Sequence, residues 1–288
     1  MKKSLYLFGL LFLASAIFTS CGEDKPPVSD MVFGRDAMTL IVGETIRLPL
    51  IVLPANANTQ NLEWRVDGES IIVENGMATA VSEGLSTRVT VIYRRENLYT
   101  LATSMLVDVI AAADGVRIFG TIWATRNVGM PGAFVQNPED TGMFFQWNRR
   151  AGWSSTDPMI NSDGGTTWDS SVPTGTIWTR EDDPCPAGWR VPSFIELEFL
   201  KNLGSTWTTK NGVNGRTFGT TPNQFFLPAA GLRQGTDGAL GAVTSGFYWS
   251  RSPSDANNAV RLGFNADGIN LQENPRNFGF SVRCVAVN

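Results

Sequence analysis

Between residues 31 and 112 no stretch of the chain carries a helical period, and this limits its fold more than any other feature. Short runs rich in β-branched and apolar residues recur instead, at 38–42, 45–53, 62–66, 71–73, 77–81, 88–93 and 104–110, each bounded by turn-prone residues. Six or seven short strands in about eighty residues predict a β-sandwich. Trp64 is expected to fill the space between its two sheets. Ala111-Ala112-Ala113-Asp114-Gly115, small and turn-prone, reads as the junction to a second domain.

Beyond the junction the composition changes. Eight of the nine tryptophans follow residue 120, and Gly, Ser, Thr and Asn become frequent. Regular elements explain little of residues 129–184, so long loops pinned by aromatic side chains are expected there. One helix stands out. Pro192-Ser193 opens it, Ser193 caps it, and Glu196 completes a capping box. Ile195, Leu197, Phe199 and Leu200 supply its apolar face, and Gly204 ends it.

The last segment, residues 246–288, interleaves two kinds of side chain. Phe247, Trp249, Leu262, Phe264, Ile269, Phe280 and Val282 are spaced as short strands space inward residues. Between them lie Arg251, Ser254, Asp255, Asn257, Asn258, Arg261, Asn265, Asp267, Asn270, Asn274, Arg276 and Asn277, polar residues with nothing to offer a core. An apolar frame that fixes the geometry of a polar display is what a recognition surface needs. An ordinary loop-rich end to a β domain is the alternative. The candidate binding residues are Arg251, Ser254, Asp255, Arg261, Asn265, Asp267, Asn270, Asn274 and Phe278. The two arginines are the expected hot spots, since guanidinium combines several donors with a planar face.

The start of the chain reads as an export signal over residues 1–20. Lys2 and Lys3 precede an apolar run from 5 to 18 that is too short to span a membrane. Phe18-Thr19-Ser20-Cys21 resembles the bacterial lipobox, although phenylalanine stands where leucine is usual. The resemblance implies acylation of Cys21 and attachment to a membrane surface without a span; a secreted protein with a free Cys21 is the alternative. Gly22-Glu23-Asp24 looks like the export signal of Bacteroidetes surface lipoproteins, which implies an outer-membrane, surface-exposed location. Residues 21–30 would form an unstructured linker.

Loss of the signal removes two lysines and takes the net charge from −4 to −6. An acidic, thinly charged chain is a poor partner for nucleic acid, whose binding rests on Lys and Arg. With Cys21 acylated, only Cys185 and Cys284 remain. In an oxidising compartment they suggest one disulfide closing a loop of about a hundred residues; two buried thiols are the alternative. The chain has no histidine. That removes Ser-His-Asp and Cys-His catalysis and imidazole acid–base work together.

Other chemistry is thin. Glu181, Asp182 and Asp183 cluster as a glycosidase pair does, but a run beside Pro184 also suits a solvated loop. Asn265-Ala266-Asp267-Gly268 and Asp163-Gly164-Gly165 offer too few oxygens for calcium and read as side-chain-capped turns. Trp153, Trp168, Trp178 and Trp207 could stack on a sugar if exposed, with loop-pinning as the alternative duty. No cofactor, metal or catalytic residue is expected.

Two stretches resemble known families. Gly43-Glu44-Thr45, Leu48, Pro54, Leu62-Glu63-Trp64, Val73, Asn75 through Ala80 and Gly84 look like the bacterial Ig-like group 2 domain, a usual spacer. Further on, Trp123 through Gly129, Phe145-Gln146-Trp147, Cys185 through Ser193 with Glu196, Phe226 through Gly231, Tyr248-Trp249-Ser250 and Gly279 through Val285 resemble the Fibrobacter succinogenes major paralogous domain. That domain is similar to the C-type lectin fold. The resemblances imply an all-β Ig-like sandwich over 31–112 followed by an α+β C-type-lectin-like domain over 114–288. Retroelement-diversified proteins of this fold vary asparagine-rich positions before a fixed last strand; here six asparagines lie between Ser254 and Asn277, ahead of a closing Gly-Phe-Ser-Val-Arg-Cys-Val. Calcium-dependent sugar binding is not implied, since Gln272-Glu273-Asn274-Pro275 has the wrong order and no Trp-Asn-Asp occurs. Formylglycine-generating enzymes share a related fold but need a reactive cysteine pair, and Cys185 and Cys284 suit a staple better. The expected function is non-catalytic binding of a surface protein or glycan. An enzyme acting on surface polysaccharide and a fimbrial-tip subunit are the competing classes.

Overall fold

A computed structural model describes residues 25–95 and 98–287, so Cys21 and the export signal lie outside the described residues. The fold is mostly β, with one short helix among the described residues.

Among the described residues the N-terminal part contains nine strands: β1 (Asp30–Phe33), β2 (Ala37–Ile41), β3 (Thr45–Arg47), β4 (Leu50–Leu53), β5 (Leu62–Asp67), β6 (Ile71–Glu74), β7 (Met77–Ala80), β8 (Gly84–Arg95) and β9 (Tyr99–Ile110). One sheet runs β2-β9-β8-β5; β3-β7-β6 and β1-β4 form the others. Alternation places Val89, Val91, Met105 and Val107 in a shared core with Phe33, Leu48, Ile71 and Ala78, while Arg88 points out. Asn75 and Gly76 form a two-residue hairpin turn at φ 50° and 78°, the left-handed pair that the twist of flanking strands favours.

One expectation is corrected here. Residues 25–29 are not a free tether: Val28 is fully buried, Tyr99 donates its hydroxyl to the Val28 carbonyl, and Asn58 N–H reaches Pro26 O at 2.8 Å. Trp64 on β5 is half-buried at the margin of the shared core, where it reaches from its own sheet to Phe33 of β1, 6.3 Å away, and to Gly76 in the β6–β7 turn.

After β9 the chain turns through Asp114 N–H to Ala111 O and enters β10 (Gly115–Ile118) and β11 (Thr121–Ala124). Loops follow, with β12 (Phe144–Phe145), β13 (Gly152–Trp153) and β14 (Trp189–Arg190). The helix α1 (Phe194–Asn202) precedes β15 (Ser205–Lys210), β16 (Val213–Thr220) and β17 (Asn223–Pro228), which form one sheet. Next come β18 (Leu232–Arg233), β19 (Leu240–Gly241) and the meander β20 (Gly246–Pro253), β21 (Asn258–Phe264) and β22 (Ile269–Pro275). The last strand, β23 (Val285–Ala286), returns to the middle of a sheet ordered β10-β11-β23-β14.

Tryptophan indoles pin the loops. Trp147 donates to Ser250 O at 3.0 Å, Trp168 to Gly235 O at 3.0 Å and Trp178 to Asp182 O at 2.9 Å. Each buries a large ring and leaves its polar atom satisfied. Cys185 and Cys284 form the disulfide, with Cα atoms 6.1 Å apart, fastening the loop before β14 to the final strand region.

In α1 the capping box is complete: Ser193 accepts from Glu196 N–H, and Glu196 accepts from Ser193 N–H at 2.7 Å. Arg190 clamps the same carboxylate through two hydrogen bonds of 2.8 and 2.7 Å. Leu197 and Leu200 are buried, but Ile195 and Phe199 are exposed, so the expected apolar face is only half used.

Candidate functional site

The meander β20–β21–β22 has two unlike faces, set by its register. Residues opposite one another in antiparallel strands share a face. Tyr248, Leu262 and Leu271 therefore point one way, with Phe264 and Ile269, into a core that α1 completes through Leu197 and Leu200. The other face carries Phe247 and Trp249 on β20, Arg261 and Gly263 on β21, and Asn270, Gln272 and Asn274 on β22. Phe247 and Trp249 both pack on Phe280, at 5.4 and 4.4 Å between ring centres.

Arg261 organises that face. It is only 7% exposed, although it was expected in the open display. Its guanidinium lies 4.9 Å over the Phe247 ring and donates to Asn274 Oδ1 at 2.8 Å, Asn270 Oδ1 at 2.9 Å and Gln272 Oε1. All three acceptors are neutral carboxamides, and burial draws its pKa down to about 10. The closeness depends on Gly263: a Cβ there would stand 1.7 Å from the Arg261 Nη1 atom. Arginine has no acceptor, so the amide oxygens must turn toward it and the amide NH₂ groups away.

Beyond the end of β21, Asn265 Oδ1 accepts from the N–H groups of Asp267 and Gly268, each at 3.0 Å. This is the side-chain-capped turn the sequence indicates. Arg216 holds it from beneath, donating to Asn265 O at 3.0 Å and Ala266 O at 3.2 Å. Asn265, Asp267 and Asn270 line a cleft of about 410 Å³ with Arg261 and Phe247. These four candidate residues (Arg261, Asn265, Asp267, Asn270), with Asn274, are thus brought together. Phe278 is half-buried against Phe280, with ring centres 5.8 Å apart, and does not line the cleft.

The remaining candidates lie apart. Ser254 and Asp255 occupy the β20–β21 turn, where Asp255 binds the side chain of Asn258 and the N–H groups of Asn257 and Asn258. Those bonds, the side-chain one foremost, hold its carboxyl below the usual range. Arg251 lines a separate cleft of about 420 Å³ with Trp178, Asp183 and Cys185. Arg276, expected outside, is 1% exposed: it stacks 4.1 Å over Trp147 and donates to Gly175 O at 2.7 Å and Asn258 O at 3.2 Å.

The other chemistry resolves into structure. Asp183 accepts from Cys185 N–H at 2.9 Å and Val191 N–H at 3.0 Å, and burial pushes its carboxyl above its ordinary value against that pull. Asp182 binds the Thr179 hydroxyl at 2.8 Å. Trp153, Trp168 and Trp178 are buried and cannot meet a sugar; Trp207 is half-buried, 5.9 Å from the Arg216 guanidinium. Among the described residues no group of three or more Cys, Asp or Glu is placed to hold a metal ion. Asn161 Oδ1 caps the Asp163 turn as Asn265 does its own, accepting from Asp163 N–H at 3.0 Å and Gly165 N–H at 2.7 Å.

Sequence reading missed Gln272 and Gly263, and took Phe247 only as a frame residue. The signal was present in the amides at 270, 272 and 274, which alternate along one strand face. No curated protein matches this chain. Residues 205–285, which take in the sheets β15–β17 and β20–β22, match a family model described as a domain of unknown function, DUF8237.

Proposed function

We propose that this protein is a lipid-anchored surface protein that binds a ligand, without transforming it, through the β21–β22 face. The C-terminal part is read as a C-type-lectin-like domain related to the Fibrobacter succinogenes major paralogous domain, and the N-terminal sandwich as a bacterial Ig-like spacer. Asparagines at 265, 270 and 274 fit a segment that a retroelement could diversify. The observation that carries the reading is the Arg261 cluster, in which three carboxamides on one strand are fixed by a buried cation and face outward. Such fixed donors bind with less entropy lost than mobile surface side chains.

The test compares two kinds of substitution on a glycan array. Asn270→Ala with Asn274→Ala deprives Arg261 of two acceptors and costs about 1–3 kcal/mol, leaving a folded protein. It should lose the ligand. Trp249→Ala, in a fully buried site, should cost about 3–5 kcal/mol and lose the fold as well. If the double variant keeps wild-type affinity, the site lies elsewhere and the N-terminal sandwich becomes the candidate. Anchoring is tested separately: Cys21→Ser should move the protein from the membrane fraction to the soluble one, and continued membrane association would exclude acylation there.

A further inference from the structure

The cluster around Arg261 says more about the ligand than that it is polar. A guanidinium carries five N–H donors and no acceptor. Three of the five are taken up by Asn270, Gln272 and Asn274, and none meets a carboxylate among the described residues. A buried cation is ordinarily paired, because removing it from water costs several kcal/mol that neutral partners repay only in part. Each amide gives its oxygen to Arg261, so its NH₂ group faces away. The result is a surface whose centre is one positive charge and whose surroundings are hydrogen-bond donors. Arg261 and Asn270 also line the 410 Å³ cleft, whose opposite wall is the Asn265–Gly268 turn. The centre of the site, a positive charge with spare N–H groups beside an outward amide donor, accepts electron pairs, and Asp267 on the rim is the carboxylate in its lining.

Resting on the binding reading above, we propose that this cleft takes the carboxylate of an acidic sugar, with Arg261 as the charge partner. One cation matches one negative charge, and the planar fork of arginine suits a carboxylate in particular. The cleft is at the small end of ligand sites, the size of about one sugar residue rather than a folded partner. Of the three amides Asn270 lines the cleft, where its outward NH₂ group can reach a ring hydroxyl oxygen, while Gln272 and Asn274 hold the guanidinium in place. A polyanion such as nucleic acid would need a row of cations, and the cleft lining holds one. Asp267 is the exposed carboxylate on the rim, and its charge opposes such a ligand.

The experiment titrates the full chain with glucuronic acid and with glucose by calorimetry at pH 7. Sodium sulfate and a short peptide, with free and with amidated C-terminus, serve as further arms. Glucuronic acid should bind at least about tenfold more tightly than glucose, a difference of about 1.4 kcal/mol. Asp267→Asn, at an exposed position that leaves the Arg261 bonds intact, should tighten glucuronic acid binding several-fold and leave glucose unchanged. Gly263→Ala, which displaces the guanidinium, and Arg261→Gln should abolish the preference for the acid. Equal binding of acid and neutral sugar, or no response to Asp267→Asn, would overturn the proposal. So would tighter binding of sulfate, or of the free-carboxyl peptide alone. Neutral array ligands that depend on Asn270 and Asn274, with no gain for their acidic counterparts, would sink this inference while the binding reading stood.

Discussion

At the residue scale, the recurring device of the C-terminal part is a buried arginine served chiefly by uncharged oxygen atoms, with the Asp157 carboxylate, 3.4 Å from Arg233, as the exception. Arg233, Arg276 and Arg283 are each 1% exposed. Arg233 donates to the carbonyls of Ser154, Thr156 and Gly238; Arg283 donates to Asn127 Oδ1 and Ala124 O. Long loops leave many carbonyls without strand partners, and a single arginine satisfies several at once. The disulfide does related work by covalent means. It joins cysteines 99 positions apart, and Cys284 is wholly buried. Replacing both with alanine should cost about 4–5 kcal/mol through the added freedom of the unfolded chain. Denaturant unfolding without reductant checks this; an unchanged midpoint would mean that the tryptophan pins already hold the loop.

At the element scale, what could be read from the sequence was what is decided locally. The Ser193–Glu196 capping box appears in the structure as read, and Asn75-Gly76 makes the hairpin turn that such a pair favours, because each is settled by a few adjacent residues. The run at 45–53 is divided instead. Thr45–Arg47 pairs with β7, while Leu50–Leu53 pairs with β1, and between them Pro49 has no N–H for a ladder. The four residues of β1 are too few to show a period, and their partner lies about twenty positions on. The parallel pairing of β2 with β9 joins residues nearly seventy positions apart, which no local signal records. In α1 two stripes compete, 195 with 199 and 197 with 200, and packing against the meander chose the second. The candidate site divides the same way. The polar residues of β21 and β22 were legible, but the burial of Arg261 was not, because it depends on amides of a neighbouring strand folding over it.

At the scale of the whole molecule, the two parts meet through a small mixed contact. Ile41 and Ile110 from the N-terminal sheet join the core that holds Ile122, Ala124 and Trp189. Arg117 on β10 reaches back, donating to both carboxylate oxygens of Glu44 at 2.8 and 2.7 Å and to Thr39 O at 3.0 Å. Glu44 also accepts Ile41 N–H at 2.9 Å, and the Thr39 hydroxyl donates to Val287 O. Burial raises the Glu44 pKa, but the Arg117 hydrogen bonds and charge outweigh it, and the carboxyl titrates below its ordinary value of 4.5. A carboxylate whose pKa is depressed on folding binds fewer protons folded than unfolded in the interval between the two values. Its stabilisation is therefore complete above about pH 4.5 and is lost as pH falls through the lower folded value. Glu44→Gln should thus be less stable than wild type at pH 7, by about 1 kcal/mol for a partly exposed bidentate pair. At pH 3, below the unfolded value, the difference should shrink, since the unfolded wild-type chain then binds a proton that the folded one resists and part of the stabilisation is lost. Paired thermal melts at the two pH values isolate Glu44, because every other titrating group is common to both proteins. Hydrogen exchange in β2 and β10 should rise with acid in the wild type and start high in the variant. A gap between the two proteins that is as wide at pH 3 as at pH 7 would mean that Glu44 acts through shape and not charge, and that the other contacts of Ile41, Ile110 and Thr39 join the two parts.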